Sequence, residues 1–532
     1  MQEKLNTRAA GLVGLAVLCS RILGLVRDQL NAALFGGGLL MDAFTIAFRI
    51  PNLLRDLFAE GALSTAFTTT FSKTFATAGD AAAWRLANKV CTMAIVVLSA
   101  ITLIGLFASG WLVEALAPGF VGEKAALTIT LTRVMYPFIL LVSIAALAMG
   151  MLNARNVFGV PAMASSFFNL GSIIVGIGLG WWLDPGFGAR ALLGLAIGTL
   201  VGGALQLAVQ VPALRRAGYV FRPDFAWRDA GVRATLRLMG PSVIAASTVQ
   251  VNVLVNSVFA SNLGNGPTYW LSQAFRVMQL PLGIFGVALG TVALPLLARM
   301  AAVGNFTAFR SELARGMRLA LLLTIPATVG LMMLADPIMS VLYQHGKFGM
   351  TETLESAGAL RFYALGLSSY AALKVLVNAF YAIDRRKAPM VISLVAVGLN
   401  LLLNWIFTLR LGWGHRGLAF STSCIAIFNF VILYALMRRH LRLLETRVLI
   451  TLLLKIAVAS LALVAVCWAG QHYVLADWPT QAFVPKLAWL LGTITVAALA
   501  FLGCTLLLRV DELEHLRAVL NRKLRRSSPA TR

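Results

Sequence analysis

Hydropathy along the chain alternates between apolar runs of membrane-crossing length and short polar connections. A helix needs about 20 predominantly apolar residues to cross a hydrocarbon core about 30 Å thick. On that measure the chain predicts fourteen spans, at 9–35, 40–71, 86–112, 126–153, 160–183, 187–214, 234–262, 269–299, 316–343, 357–383, 389–410, 416–438, 447–473 and 486–508. The expected fold is an all-α polytopic membrane protein.

Spans one and two break the apolar pattern. Ser20-Arg-Ile-Leu-Gly-Leu-Val-Arg-Asp28 and Met41-Asp-Ala-Phe-Thr-Ile-Ala-Phe-Arg-Ile-Pro-Asn-Leu-Leu-Arg-Asp56 place Arg21, Arg27, Arg49 and Arg55 inside otherwise apolar helices. A charge on a membrane helix costs about 2.5–3.5 kcal/mol even on a lenient insertion scale. Four left in lipid would cost on the order of 10 kcal/mol, comparable to the stability of a whole domain. These arginines are therefore expected to line a wet cavity suited to an anion. Arginine favours phosphate because its planar fork donates two parallel hydrogen bonds and stays charged.

Composition supports the membrane reading. The 532 residues are 59% hydrophobic and 12% charged, with mean hydropathy +0.82; a soluble domain is nearer 45–50% apolar and about 25% charged. The net charge of +24 is not a nucleic-acid footprint, because most of the 45 Lys and Arg lie in short loops on one side. Arg215, Arg216, Arg222, Arg385, Arg386, Lys387, Arg438 and Arg439 belong to this set. Their excess predicts that both termini are cytoplasmic. The first apolar run, after the polar Met1–Arg8, reads as a retained helix and not a cleaved signal. Cys19, Cys91, Cys424, Cys467 and Cys504 fall within apolar spans and read as small buried hydrophobes.

A shift of 227 residues exposes an internal repeat. Ala47, Phe48, Arg49 and Leu53 lie over Ala274, Phe275, Arg276 and Leu280, while Phe58 lies over Phe285 and Gly37 over Gly264. Spans two and eight run in the same direction, so the repeat is parallel, about an axis along the membrane normal. It implies two pseudo-symmetric six-helix lobes, 1–220 and 221–440, around a central cationic cavity. Spans thirteen and fourteen (441–510) form an appendix, and 511–532 is a basic cytoplasmic tail. The repeat also superposes Arg49 on Arg276, one arginine from each lobe.

Helical spacing says which charges meet. Residues seven apart are only about 20° out of phase, so Asp42, Arg49 and Asp56 share one face of span two and Arg21 shares a face with Asp28. At 1.5 Å per residue Arg49 lies roughly 10 Å in from Asp42, and Arg55 roughly 20 Å in. Gly24 and Pro51 are the natural places for a bend. The expected cavity set is Arg21, Arg27, Asp28, Asp42, Arg49, Arg55, Glu60, Arg276 and Lys374, cationic even after full pairing. Internal salt bridges that merely lock helices together are the alternative. No metal cluster, nucleotide-binding loop or catalytic triad is legible, so no cofactor and no ATP hydrolysis are expected.

Ser20–Asp28, Asp42-Ala-Phe, Pro51-Asn-Leu-Leu-Arg55, Phe58-Ala-Glu-Gly-Ala62, Ala117-Pro-Gly-Phe120, Phe285-Gly-Val-Ala-Leu-Gly290 and Gln344-His-Gly-Lys-Phe348 together resemble the MurJ (MviN) lipid II flippase family. The resemblance covers the whole chain. It implies the multidrug/oligosaccharidyl-lipid/polysaccharide exporter fold and a V-shaped cavity. The implied substrate is lipid II, the undecaprenyl-pyrophosphate-linked peptidoglycan precursor, moved by alternating access from the inner to the outer leaflet of the cytoplasmic membrane. A groove beside spans thirteen and fourteen is the expected path of the polyprenyl tail. Family functional residues map onto Arg21, Arg27, Asp42, Arg55 and Arg276. Where family members often carry an Asp before the second-lobe arginine, this chain has Phe275, and the sodium site of some members has no counterpart here.

Expected partners are lipid II and membrane lipids, with other cell-wall synthesis proteins left open and nucleic acid excluded. Three rivals remain at this level: a flippase for another polyprenyl-linked oligosaccharide, a multidrug antiporter of the same architecture, and a scaffold for cell-wall enzymes. The antiporter would want acidic groups that bind cations, which a net cationic cavity disfavours.

Overall fold

Long apolar runs make helices here because lipid offers the backbone no hydrogen-bond partner, so each span must satisfy its own N–H and C=O groups. A computed structural model describes residues 7–56, 63–441, 444–510 and 512. The described residues form eighteen α-helices and no strand. The chain separates into two compact units, Met1–Tyr269 with His345–Gly349, and Trp270–Gln344 with Met350–Arg532. That division falls at Tyr269–Trp270, one span later than the 220/221 boundary drawn from the repeat.

The first unit holds α1 (Thr7–Phe35), α2 (Leu39–Arg55), α3 (Ser64–Leu116), α4 (Gly122–Met135), α5 (Phe138–Ala154), α6 (Gly159–Leu183), α7 (Ala191–Ala208), α8 (Val211–Arg216) and α9 (Ala230–Ser261). Its core lies where Phe67, Phe71, Leu86 and Val90 of α3 meet Leu147 and Leu152 of α5. Helices α6 and α7 approach through glycine. A Cβ added at Gly194 would sit 2.3 Å from the backbone N of Gly180, and one at Gly198 would sit 2.4 Å from the Cα of Gly176. Small residues at a four-residue spacing allow such contact in lipid, where packing replaces the hydrophobic drive.

In the second unit lie α10 (Pro267–Pro281), whose first turn belongs to the first unit, α11 (Val287–Ala302), α12 (Phe306–Met333), α13 (Ala335–Tyr343), α14 (Met350–Ala382), α15 (Lys387–Asn404), α16 (Gly414–Leu441), α17 (Thr446–Ala469) and α18 (Phe483–Leu507). Phe309 and Leu313 of α12, Val375 and Phe380 of α14 and Met437 of α16 form its core.

Ten helical stretches among the described residues are long and apolar enough to cross a membrane, and they coincide with expected spans three to six and nine to fourteen. The other four expected spans fall on α1, α2, α9 and α10–α11. Of these, α2 has 17 residues and α10 has 15, whereas α1 has 29 and α9 has 32. A π-helical turn follows α10 at Leu282–Gly286, and the backbone at Asp56, directly after α2, is π-helical too.

The loop expected at 72–85 is largely helical instead. Alanine-rich sequence on both sides favours helix, and α3 runs through the region with a single break at Gly79, where φ is +78°. Only glycine takes that conformation without strain. Expected span four is likewise two helices, α4 and α5, separated at Tyr136–Pro137.

Candidate functional site

Asp42 and Arg49 of α2 and Asp56 just after it share a face, and two of the residues they meet, Gln250 and Ser257, are seven apart as well. Arg49 Nη1 donates to Ser257 Oγ at 2.6 Å. Gln250 Nε2 donates to Asp56 Oδ2 at 3.3 Å. Asp42 meets the turn that follows α9, where Gly266 N donates to its Oδ2 at 2.7 Å. A polar stripe on α2 is thus matched, in antiparallel order, by a polar stripe on α9 and its following turn.

The Asp42 end is closed. Its carboxylate is 0% exposed and pairs with Lys124 Nζ at 2.8 Å. Gly266 N and, at 2.9 Å, Tyr269 N donate to it from the first turn of α10. A helix N-terminus presents N–H groups without intrahelical partners, and Asp42 supplies that cap from another helix. Lys124 also donates to Gly264 O at 3.0 Å and Asn265 Oδ1 at 3.1 Å, and it lies 3.9 Å from the centroid of the Phe120 ring.

Two arginine forks face sequence-adjacent acids. Arg27 donates through Nε and Nη2 to Asp28 Oδ1 at 3.3 and 3.1 Å. Arg55 repeats the arrangement on Asp56 Oδ1 at 3.1 and 2.8 Å. Arg27 also lies over the Phe168 ring, 5.5 Å from its centroid, and within electrostatic reach of Arg55 and Tyr269. Both arginines are partly exposed, at 19% and 23%. Each fork holds one oxygen of its own neighbour, and a phosphate offers three or more oxygens to the same donors.

The remaining expected site residues are placed as follows. Arg21 is exposed on α1, next to Ser20, whose carbonyl accepts a hydrogen bond from Asn169 of α6 at 3.0 Å. Arg276 is half-buried on α10, within electrostatic reach of Tyr343, and Lys374 is exposed on α14; both belong to the second unit. Glu60 and the tail beyond residue 512 lie outside the described residues.

Lys124, Ser257 and Gln250 were not singled out in the sequence. Lys124 sits at the polar edge of span four, and a lone Ser or Gln in an apolar helix carries no period of its own. Only the seven-residue match to the α2 stripe could have flagged Ser257 and Gln250, and nothing of that kind points to Lys124. His345–Phe348 of the Gln344–Phe348 motif are part of the first unit, where Lys347 N donates to Ala33 O in the last turn of α1 at 2.8 Å and Lys347 Nζ to Gly186 O at 2.6 Å. The second unit carries an apolar groove of about 430 Å³ lined by Phe285, Leu331, Leu463, Ile494 and Phe501. Among the described residues no cluster of His, Cys, Asp and Glu could hold a metal ion.

The family model described as lipid II flippase MurJ matches residues 31–488. The chain belongs to the MurJ family. A probable lipid II flippase MurJ of Vibrio cholerae is 34% identical over 511 residues, covering 94% of this chain and 95% of that protein. The lipid II flippase MurJ of Burkholderia cenocepacia is 34% identical over 429 residues, covering 80% and 82%. A solved MurJ structure, in an inward closed conformation, superposes with TM-score 0.77 at 25% identity, over 94% of this chain and 99% of that one. An inward-facing multidrug resistance MATE family transporter of the MOP superfamily superposes with TM-score 0.63 at 16% identity, over 81% and 94%, and shares the fold. Membership in MurJ, with ten apolar membrane-length stretches, makes this a multi-pass membrane transporter.

Proposed function

We propose that this protein is a lipid II flippase, carrying the undecaprenyl-pyrophosphate-linked disaccharide-peptide from the inner to the outer leaflet of the cytoplasmic membrane for cell-wall synthesis. The observation that carries the reading is the pair of partly exposed arginine forks, Arg27 and Arg55, on helices that belong to a membrane protein. In this reading pyrophosphate oxygens replace Asp28 and Asp56 as acceptors. Each exchange keeps a charge-assisted hydrogen bond while relieving the mutual repulsion of the two arginines. Arg49, held by Ser257, and exposed Arg21 extend the cationic lining of the first lobe. Arg276 and Lys374 supply that of the second lobe, and Asp42 acts by fixing α2 to α4 and α10.

Transport proceeds by alternating access of two lobes, 1–220 and 221–440. The polyprenyl tail follows the apolar groove flanked by α17 and α18. Basic loops hold both termini in the cytoplasm. No ATP is hydrolysed; the membrane potential, worth about 2.3 kcal/mol per charge per 100 mV, resets the cationic site.

The test is depletion of the protein with lipid II assayed in each leaflet. Lipid II should accumulate in the inner leaflet, and wild-type protein but not Arg55→Ala should clear it. Unchanged delivery to the outer leaflet after depletion would refute the reading.

A further inference from the structure

A second cationic pocket, apart from the α1–α2 arginines, opens in the first unit beside the Gly79 break. It has a volume of about 350 Å³, and Thr74, Arg85, Lys89, Asp229 and Gly231 line it. Arg85 and Lys89 are one turn apart on α3. Like charges at this spacing destabilise a helix, so an anion held by both would relieve a built-in repulsion.

The two cations are held differently. Lys89 Nζ donates to Asp229 Oδ2 at 2.8 Å, and Asp229 is itself fixed as the cap of α9, its Oδ1 accepting from Gly231 N at 2.8 Å. One of the three ammonium donors is thereby used and the head is anchored in place. Arg85 is exposed; its Nε donates to Ala81 O of its own helix at 3.3 Å, and it has no carboxylate partner among the described residues. The pocket carries two positive charges against one negative. It lies at the start of the third span, on the side where basic loops concentrate.

We propose that this pocket binds a phosphate group, with the Arg85 fork as the main donor and the anchored Lys89 ammonium as the second. The phosphate comes from the headgroup of an anionic inner-leaflet lipid or from the cytosol, and the chemistry of recognition is the same for both.

Full-length protein in phosphatidylcholine nanodiscs separates the sources. One arm adds a minor fraction of phosphatidylglycerol and measures what the protein retains by native mass spectrometry. The other adds inorganic phosphate and follows thermal unfolding. Arg85→Ala, at an exposed position, should weaken binding of at least one probe about tenfold, the loss expected for a charged hydrogen bond. Arg85→Lys should recover part of it, and Arg215→Ala should leave binding unchanged. Loss confined to phosphatidylglycerol assigns a lipid headgroup, loss confined to inorganic phosphate assigns a soluble anion, and loss of both supports a shared site. Wild-type binding of both probes by Arg85→Ala, or no binding of either probe by the wild type, overturns the proposal. Both readouts measure binding and do not depend on the flippase reading.

Discussion

Lys124–Asp42 and Lys89–Asp229 are the same chemical pair at the same 2.8 Å separation, and in each the aspartate also caps a helix N-terminus. Asp42 caps α10 from inside the protein and is 0% exposed, whereas Asp229 caps α9 with 35% of its side chain in solvent. Burial therefore decides what each pair does. In the interior both ions have left water, so the pair holds only while every partner stays in place. At the surface, solvent and salt screen the attraction and either partner can be exchanged cheaply. The Arg27–Asp28 fork falls between these settings, and the Arg55–Asp56 fork is about as exposed as the surface pair but sits on a membrane helix. They are sheltered enough to be oriented and open enough to trade a carboxylate for another anion.

The largest effect should come from breaking the interior pair. Asp42→Ala leaves the Lys124 ammonium buried and the first N–H groups of α10 uncapped, a cost of about 3–5 kcal/mol. Thermal unfolding of the purified protein should show it as a large fall in melting temperature, or as loss of folded material. Asp42→Asn combined with Lys124→Met removes both charges and should cost clearly less than Asp42→Ala. If the double variant is the worse of the two, the pair is not the unit that matters.

Next come the forks, where the expected loss is in transport. Arg55→Ala should fold, because Asp56 is 29% exposed and still accepts from Gln250. Losing a charged hydrogen bond worth about 1.5–3 kcal/mol should slow flipping about ten- to a hundredfold. Arg55→Lys should restore only part, since it keeps charge without the fork. Arg27→Ala is less clean, because Asp28 is 7% exposed and would be stranded; Arg27→Lys is the better variant there. Wild-type flipping by Arg55→Ala, measured in reconstituted vesicles, would move the forks to the same structural class as Asp42.

Ser257→Ala should have a smaller effect. It removes one partner of Arg49 at a buried position, for about 1.5 kcal/mol, the low end for a bond to a charged group because Arg49 keeps a further interaction. A shift of a few degrees in melting temperature, with flipping reduced less than in Arg55→Ala, is the expected outcome. A loss as large as that of Asp42→Ala would mean that the α2–α9 stripe is held as tightly along its length as at its end.

Much of this was legible in the chain. The apolar runs located the helices because span length follows from bilayer thickness, ten of them as membrane-length stretches among the described residues, and the seven-residue spacing of Asp42, Arg49 and Asp56 gave their common face. What lay opposite that face was not legible. Ser257 and Gln250 are ordinary residues until the fold sets them against charge, and Lys124 reads as a membrane-edge lysine until Asp42 meets it. Reading the α2 charges as one cavity set also hid the difference between its ends, because exposure is a tertiary property. The helix through 72–85 was not legible either, because hydropathy registers only apolar length whereas this polar, alanine-rich stretch is helical by propensity.

The smallest effect belongs to the surface pair, and its sign can be worked out. The hydrogen bond from Lys89, helped by the Gly231 and Val232 amides, holds the Asp229 carboxyl below its ordinary range despite partial burial. A carboxylate whose folded value is depressed adds stability that is fully present above its unfolded value, about 3.9, and lost as pH falls through the folded one. The difference in melting temperature between wild type and Asp229→Asn should therefore be flat from about pH 8 to 5 and shrink only below about pH 4. Added salt should shrink it across the whole range, because the pair is exposed to solvent. A salt-independent difference as large as that of the interior pair would show that burial is not what separates Lys89–Asp229 from Lys124–Asp42.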